Sequence, residues 1–257
     1  MSRFDELAAS FAADQRGPWP ELSYRLFVSQ LEEHRTGKLR VLDAGGGAGA
    51  LAVRLARDGH DVTLLDQSEG MLAQARDAAA EAGVVIRILE STIEEADDLI
   101  PEPEFDLVAC HNVLEYVVNL ADTIRSLRRW MRPDGLLSLV VHNAVSLPLW
   151  CAMHELNFEE ALVNLGARTW RGRFSDSARA FDSDEISGLV SSGDLTVVGS
   201  YGLGVVSPYI PDEDAKFTDR RIHQLEELER RLGSLSPYKE VARRLHVVAA
   251  QGEVRND

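Results

Sequence analysis

The stretch LRVLDAGGGAG, residues 39–49, runs from a short apolar segment into a glycine cluster, and the helical pattern Ala50 to Arg57 follows directly. Glycine has no Cβ, so a turn built from it can take positive φ and approach a ligand closely, while the helix start behind it offers unpaired N–H groups. Strand, glycine turn and helix in that order open a βαβ unit. Outward from there, Asp61 to Asp66 (DVTLLD) reads as a second strand and Met71 to Ala82 as a second helix. Val84 to Leu89, Phe105 to His111 and Leu136 to His142 read as strands three to five, separated by helical segments. This alternation predicts a parallel sheet with helices on both faces, a doubly wound α/β fold.

Upstream, Phe4, Leu7, Ala8 and Phe11 recur at helical spacing, and Leu22, Leu26, Phe27, Gln30 and Leu31 mark a second amphipathic helix after Pro18-Trp19-Pro20. Downstream the rhythm changes. Residues 145–165 read as helical, and 166–181 (GARTWRGRFSDSARAF) as a connection with little apolar periodicity. Asp182 to Ser191 reads as a helix capped by Ser183 or Asp184, Leu195 to Val206 as a strand, Arg220 to Leu232 as a charged helix and Leu245 to Ala250 as a last strand. With no internal repeat or low-complexity linker, the expectation is one domain over 1–257. It comprises an N-terminal helical cap (1–38), a ligand-binding core (39–142), an insertion or lid (145–181) and C-terminal helices with the last two strands (182–250).

The chain has 257 residues, 45% hydrophobic and 27% charged, with 27 Lys plus Arg against 42 Asp plus Glu and a net charge of -15. That composition suits one large α/β domain and excludes collagen-like, disordered and disulfide-scaffold classes. The acidity argues against wrapping nucleic acid on all sides, because phosphate contacts need Lys and Arg; a local basic patch stays open. Cys110 and Cys151 sit in apolar runs without a CxxC partner, the seven histidines are scattered, and no apolar run approaches the roughly 20 residues that span a bilayer. The expectation is a soluble, cytoplasmic protein with buried thiols, no metal site and no membrane partner.

In a doubly wound sheet the ligand lies beyond the carboxyl ends of the strands, where the glycine turn emerges. Gly45-x-Gly47-x-x-Ala50 also matches the dinucleotide fingerprint, so the glycines alone leave NAD open. Asp66 closes the second strand and suits a ribose hydroxyl pair in either case.

The combination D-x-G-G-G-x-G after the first strand, with the acid closing the second, resembles the class I S-adenosylmethionine-dependent methyltransferases. The resemblance implies S-adenosyl-L-methionine as cofactor and a Rossmann-like seven-stranded sheet of order 3-2-1-4-5-7-6 with strand 7 antiparallel. It places Asp43 beside the amino acid end of the cofactor, with Gly45, Gly46, Gly47 and Gly49 packed under it. Asp66 and Gln67 also contact the cofactor, Met71 and the pair Thr92-Ile93 lie against adenine, and His111-Asn112 form the floor of the methyl-donor site. No Asn/Asp-Pro-Pro-Tyr/Phe sequence ends the fourth strand, which disfavours amino-group methylation by that device.

Further pieces are similar to the bacterial tRNA methyltransferases that esterify 5-carboxymethoxyuridine at the wobble position. They include GHDVTLLDQSEGML (59–72), FDLVACHNVLEYV (105–117), His142-Asn143-Ala144, Asn157-Phe158 and SPYKEVARRLHVVA (236–249). This resemblance implies that Arg25, on the second N-terminal helix, reaches the cofactor's carboxylate, a task for which its planar fork is suited. The chain departs from that family in carrying only Arg168, Arg171 and Arg173 around Trp170 where those enzymes are strongly basic. Gly204 and Ser207 replace polar or basic groups near the sixth strand, while Tyr209 is kept.

Methyl transfer from a sulfonium is an in-line displacement, so alignment and exclusion of water are its main needs. A carboxylate acceptor is already ionised; a phenol or hydroxyl acceptor gains from a base, for which His111 and His142 are candidates. His111 and Tyr209 are the expected catalytic side chains. Asn143, Arg168, Trp170, Arg171, Arg173 and Tyr209 are the expected substrate contacts, with arginines meeting phosphate and aromatic rings stacking on a flipped base. The acceptor is tRNA or, in the alternative reading, a small molecule methylated on oxygen or nitrogen.

Overall fold

A computed structural model describes residues 2–15, 17–210 and 219–252. Two helices come first, α1 (Arg3–Asp14) and α2 (Pro18–Glu32). The capping box of Ser2 and Asp5 starts α1, and Pro18 starts α2, where a missing N–H costs nothing. The alternating part follows: β1 (Arg40–Ala44), α3 (Ala50–Arg57), β2 (Asp61–Asp66), α4 (Glu69–Ala82), β3 (Arg87–Glu90), β4 (Phe105–His111), α5 (Leu120–Trp130) and β5 (Met131–His142). The remainder is α6 (Ser146–Met153), α7 (Phe158–Val163), a small hairpin of β6 (Thr169–Trp170) and β7 (Ala178–Arg179), α8 (Ser183–Ser192), β8 (Leu195–Leu203), α9 (Asp219–Ser234) and β9 (Arg244–Gln251).

The main sheet has the order β3-β2-β1-β4-β5-β9-β8. Strands β1 to β5 pair in parallel, and β9 is antiparallel to both β5 and β8. Leaving the hairpin aside, this is the order 3-2-1-4-5-7-6 with the seventh strand reversed. The chain changes direction between β1 and β4, so the glycine turn leaves the sheet at its switch point.

Successive strand residues face opposite sides. Leu42, Val108, Leu137 and Val247 pack with Ile124, Leu127 and Trp130 of α5 and Ile186 and Val190 of α8. On the other face Val41, Leu107, Leu136 and Val248 pack with Phe27 and Leu31 of α2, Leu55 of α3, and Leu72 and Ala75 of α4. Two apolar layers therefore hold the sheet rigid under its carboxyl edge.

Several boundaries differ from the sequence reading. The segment 145–165 is two helices, because Leu156 takes φ 53° and the Asn157 side chain accepts from Glu160 N at 3.0 Å to start α7. The connection 166–181 contains the β6–β7 hairpin, and Phe181 bridges to Asn143. Asp182, rather than Ser183 or Asp184, caps α8 by accepting from Glu185 N at 2.8 Å. The strand expected to run to Val206 stops at Leu203, where Gly204 turns with φ 76° and Val205, Val206 and Ser207 donate their N–H groups to the Glu229 carboxylate at 2.6–3.0 Å.

Among the described residues no helix is long and apolar enough to cross a membrane, and no group of three or more His, Cys, Asp or Glu side chains could hold a metal ion. Cys110 and Cys151 are free and buried.

Candidate active site

The glycine turn is tied to β2 from two directions. Gly45 N and Gly46 N donate to Leu65 O at 2.7 and 3.2 Å, and Gly47 N donates to Asp66 Oδ2 at 2.9 Å. The other Asp66 oxygen accepts from Ser68 N at 2.9 Å, so the carboxylate clamps the turn and the start of α4 while keeping lone pairs for a ligand. Glycine is demanded here by space. A Cβ on Gly45 would stand 2.5 Å from Val113 Cγ2, and one on Gly46 would stand 2.6 Å from Asp43 Oδ2.

Above the turn lies a cleft of about 960 Å³. The structure brings Asp43, Gly45, Gly46, Gly47, Asp66, Gln67, Met71, Thr92, Ile93 and His111 together on its wall. Asp43 is buried with no hydrogen-bond partner on Oδ2, and burial first, then the charge of Asp66, pushes its pKa up to about 7. Asp66 is also raised, mainly by burial. Both acids are set for a ligand bearing positive charge and hydroxyl donors.

Two residues expected at the cofactor stand elsewhere. Arg25 pairs with Glu226 of α9 at 3.4 Å and does not line the cleft; from α2 the cleft is met by Pro18, Trp19, Pro20, Ser23, Tyr24 and Phe27. The helical phase turns Arg25 away from that face. Gly49 sits at the start of α3 with φ 77°, where a Cβ would come 2.9 Å from Ala75 Cβ, so it allows α3 and α4 to pack rather than touching the cleft. An arginine that does reach the cleft nearby is Arg54, on α3, donating to Glu21, Ala50 O and Gln15 O at 3.2–3.3 Å.

His111 lies at the end of β4 in a buried chain. Its Nε2 bonds Ser138 Oγ at 2.8 Å, Ser138 Oγ bonds His246 Nε2 at 2.9 Å, and His246 Nδ1 bonds Gln30 Oε1 at 2.7 Å. Burial pushes the His111 pKa down to about 3. The ring is therefore neutral near pH 7 and a poor proton acceptor, which speaks against the base role considered for it. His142 is lowered as well, by burial and then by the charges of Arg244 and Arg243, and its ring Nδ1 lies 3.2 Å from Glu115 Oε1.

The expected substrate residues divide. Trp170 lines the cleft and packs against His142 with ring centroids 4.3 Å apart and the planes tilted by 30°. Arg173 lines it too, paired with Asp14. Arg168 is paired with Asp182 and Glu185, and Arg171 with Asp176. Arg179, from the same stretch, is paired with Glu185. Asn143 is buried and spent on backbone: it donates to Glu240 O and Ala242 O at 2.8 Å and accepts from Val145 N at 3.0 Å. Tyr209 donates to Val241 O at 3.2 Å, and neither it nor Asn143 lines the cleft.

The sequence reading missed the roof and one cation. Phe174 stacks on Phe4 at 4.6 Å and meets Phe11 and Tyr116 edge-on, so α1 and the 166–181 segment together cover the cleft with aromatic rings. Arg244, at the start of β9, also lines it. The helical spacing of Phe4 and Phe11 was visible, but not what they face.

Comparison with known proteins bears on this geometry. Residues 42–139 match the family described as Methyltransferase domain. The tRNA 5-carboxymethoxyuridine methyltransferase of Escherichia coli K12 is 29% identical over 98% of this chain and 97% of its own length. This chain is an S-adenosylmethionine-dependent methyltransferase. The ubiquinone biosynthesis O-methyltransferase of Sodalis glossinidius is 40% identical, but over 52% of this methyltransferase and 55% of its own length. The magnesium protoporphyrin IX methyltransferase of Synechocystis PCC 6803, with bound SAH, shares the fold with a TM-score of 0.57 at 17% identity, covering 90% of this chain and 83% of that one. The cleft fits the cofactor chemically. The unpartnered oxygen of Asp43 suits a cation, the spare lone pairs of Asp66 suit ribose hydroxyls, and Met71 and Ile93 offer apolar contact to a base.

Proposed function

We propose that this methyltransferase esterifies a carboxylate, and that its acceptor is 5-carboxymethoxyuridine in tRNA. The observation that carries the reading is the end-to-end similarity to the tRNA enzyme, against similarity over only about half the chain to the ubiquinone-pathway enzyme. The histidines of the cleft support it: both are held away from their protonated form, and a carboxylate acceptor needs no base.

In this reading Asp43 holds the cationic amino acid end of the cofactor, Asp66 the ribose, and Met71, Thr92 and Ile93 the adenine. When bound, the cofactor supplies a methyl group on a positively charged sulfur. A carboxylate oxygen of the acceptor, already ionised, would take that methyl group in line with the sulfur, which would keep the electron pair of the broken carbon–sulfur bond, so the chain would have no proton to remove. The chain's task is to align three atoms and exclude water, worth roughly 7–11 kcal/mol. Phe4, Phe11, Tyr116 and Phe174 exclude water, and residues 145–181 serve as the lid.

A second reading, a small-molecule acceptor, is favoured by the pairing of Arg168, Arg171, Arg173 and Arg179 with protein carboxylates, which leaves their charge already compensated where phosphates would dock. The test is incorporation of label from methyl-labelled cofactor into total tRNA and, separately, into a metabolite extract. Label in tRNA, released by mild alkali as expected of an ester, supports the first reading. Label confined to the extract supports the second.

A further inference from the structure

Arg244 opens β9, facing His142 of β5 on one side and Leu203 of β8 on the other. Counted in strand spacings of about 4.8 Å, it lies about 14 Å across the sheet from the glycine turn, on the side away from Asp66. Among the described residues its guanidinium makes no hydrogen bond and no ion pair within 4.0 Å, and its Nε is buried without a partner. The other arginines nearby are engaged. Arg243 donates to Ser146 Oγ at 3.2 Å between the rings of Trp150 and Trp170, and Arg173 pairs with Asp14.

Glu115 is the carboxylate that acts on Arg244 through space. Its Oε1 is taken by His142 N at 2.8 Å and it forms no ion pair with the guanidinium. A second donor at the same end of the cleft is also unused: the indole Nε1 of Trp170 is buried with no acceptor. Two buried donors without protein partners, one of them cationic, match a ligand with acceptor oxygens and a negative charge.

We infer that Arg244, with the indole N–H of Trp170, is the carboxylate-reading subsite for the acceptor, and orients one of its oxygens toward the methyl donor. The inference rests on the carboxyl-methylation reading but not on tRNA as the acceptor. Esterification removes the acceptor's charge, so Arg244 holds the substrate and releases the product.

The test is calorimetric titration of the protein, saturated with S-adenosylhomocysteine, with phenoxyacetate, which carries the same oxygen–methylene–carboxylate group on a planar ring. Saturable binding is expected for phenoxyacetate, with phenoxyacetamide and methyl phenoxyacetate at least tenfold weaker. Arg244→Met should weaken phenoxyacetate at least tenfold and Arg244→Lys should keep part of the affinity, while both bind S-adenosylhomocysteine as the wild type does. The inference is overturned if the wild type does not bind phenoxyacetate, if the acid and its amide bind equally, or if Arg244→Met leaves phenoxyacetate unchanged. It is equally overturned if Arg244→Met weakens S-adenosylhomocysteine by the same factor, since Arg244 would then hold the cofactor's own carboxylate. Failure of tRNA to accept methyl while phenoxyacetate still requires Arg244 would remove the tRNA reading and leave the subsite standing.

Discussion

Replacing Asp43 by Asn tests how the cofactor end of the cleft works. The carboxyl is buried, one oxygen has no partner, and its pKa is pushed from 3.8 up to about 7 by burial and by Asp66. Its folded pKa thus lies above its unfolded one, so the folded state binds more protons between about pH 4 and pH 7. Stability falls as pH rises through that window and levels off above it. At about 1.4 kcal/mol per pH unit, roughly three units give an upper limit of about 4 kcal/mol held against the ionised, ligand-free protein. Asparagine carries no such penalty. Urea unfolding without cofactor should therefore show Asp43→Asn more stable than the wild type at pH 8, by up to about 4 kcal/mol, and nearly equal at pH 4.5. The same variant should lose affinity for S-adenosylmethionine about tenfold or more, because a charge-assisted hydrogen bond is worth about 1.5–3 kcal/mol. A variant no more stable than the wild type at pH 8, or one that binds the cofactor unchanged, would refute the reasoning.

Gly46→Ala places a Cβ 2.6 Å from Asp43 Oδ2 and 2.9 Å from Leu64 Cγ, so calorimetry should show cofactor binding weakened well beyond tenfold while the fold is retained by circular dichroism. His111→Ala should lower the methyl-transfer rate less than about a hundredfold, the low end of what a general base supplies, with no limb near pH 6.5 in the rate profile of either protein. Trp130, wholly buried beneath β4 and β5, should cost about 3–5 kcal/mol on replacement by Ala, measured by denaturant unfolding. Glu229→Gln removes a carboxylate that accepts three backbone N–H groups, and faster hydrogen exchange should follow at Val205, Val206 and Ser207 before any change at β5.

The glycine turn and the five parallel strands were legible because their signals are local. Apolar runs of strand length, a glycine cluster and Asp66 stand within thirty residues of one another. Side-chain direction was not. Arg25 and Tyr24 are neighbours in sequence, yet the helix turns only Tyr24 toward the cleft, and Arg25 finds Glu226 on an element some two hundred residues later. Asn143 and Tyr209 are polar residues of the kind that contact substrates, but backbone carbonyls of the 238–242 turn consume them. Arg244 reaches the site because β9 inserts antiparallel beside β5, which sets its first residue against the last residue of β5. No local pattern around residue 244 carries that information. The arginines at 168, 171, 173 and 179 looked like a phosphate-binding stretch, but long-range and local carboxylates pair with each of them.

The central claim is that the methyl group ends on a carboxylate of the acceptor. The most direct measurement is mass analysis of nucleosides from tRNA incubated with the protein and S-adenosylmethionine, before and after mild alkaline treatment. The expected result is conversion of 5-carboxymethoxyuridine into a species one methylene heavier, reverting on alkali. An unchanged 5-carboxymethoxyuridine pool, or a methyl group that withstands alkali, would contradict it.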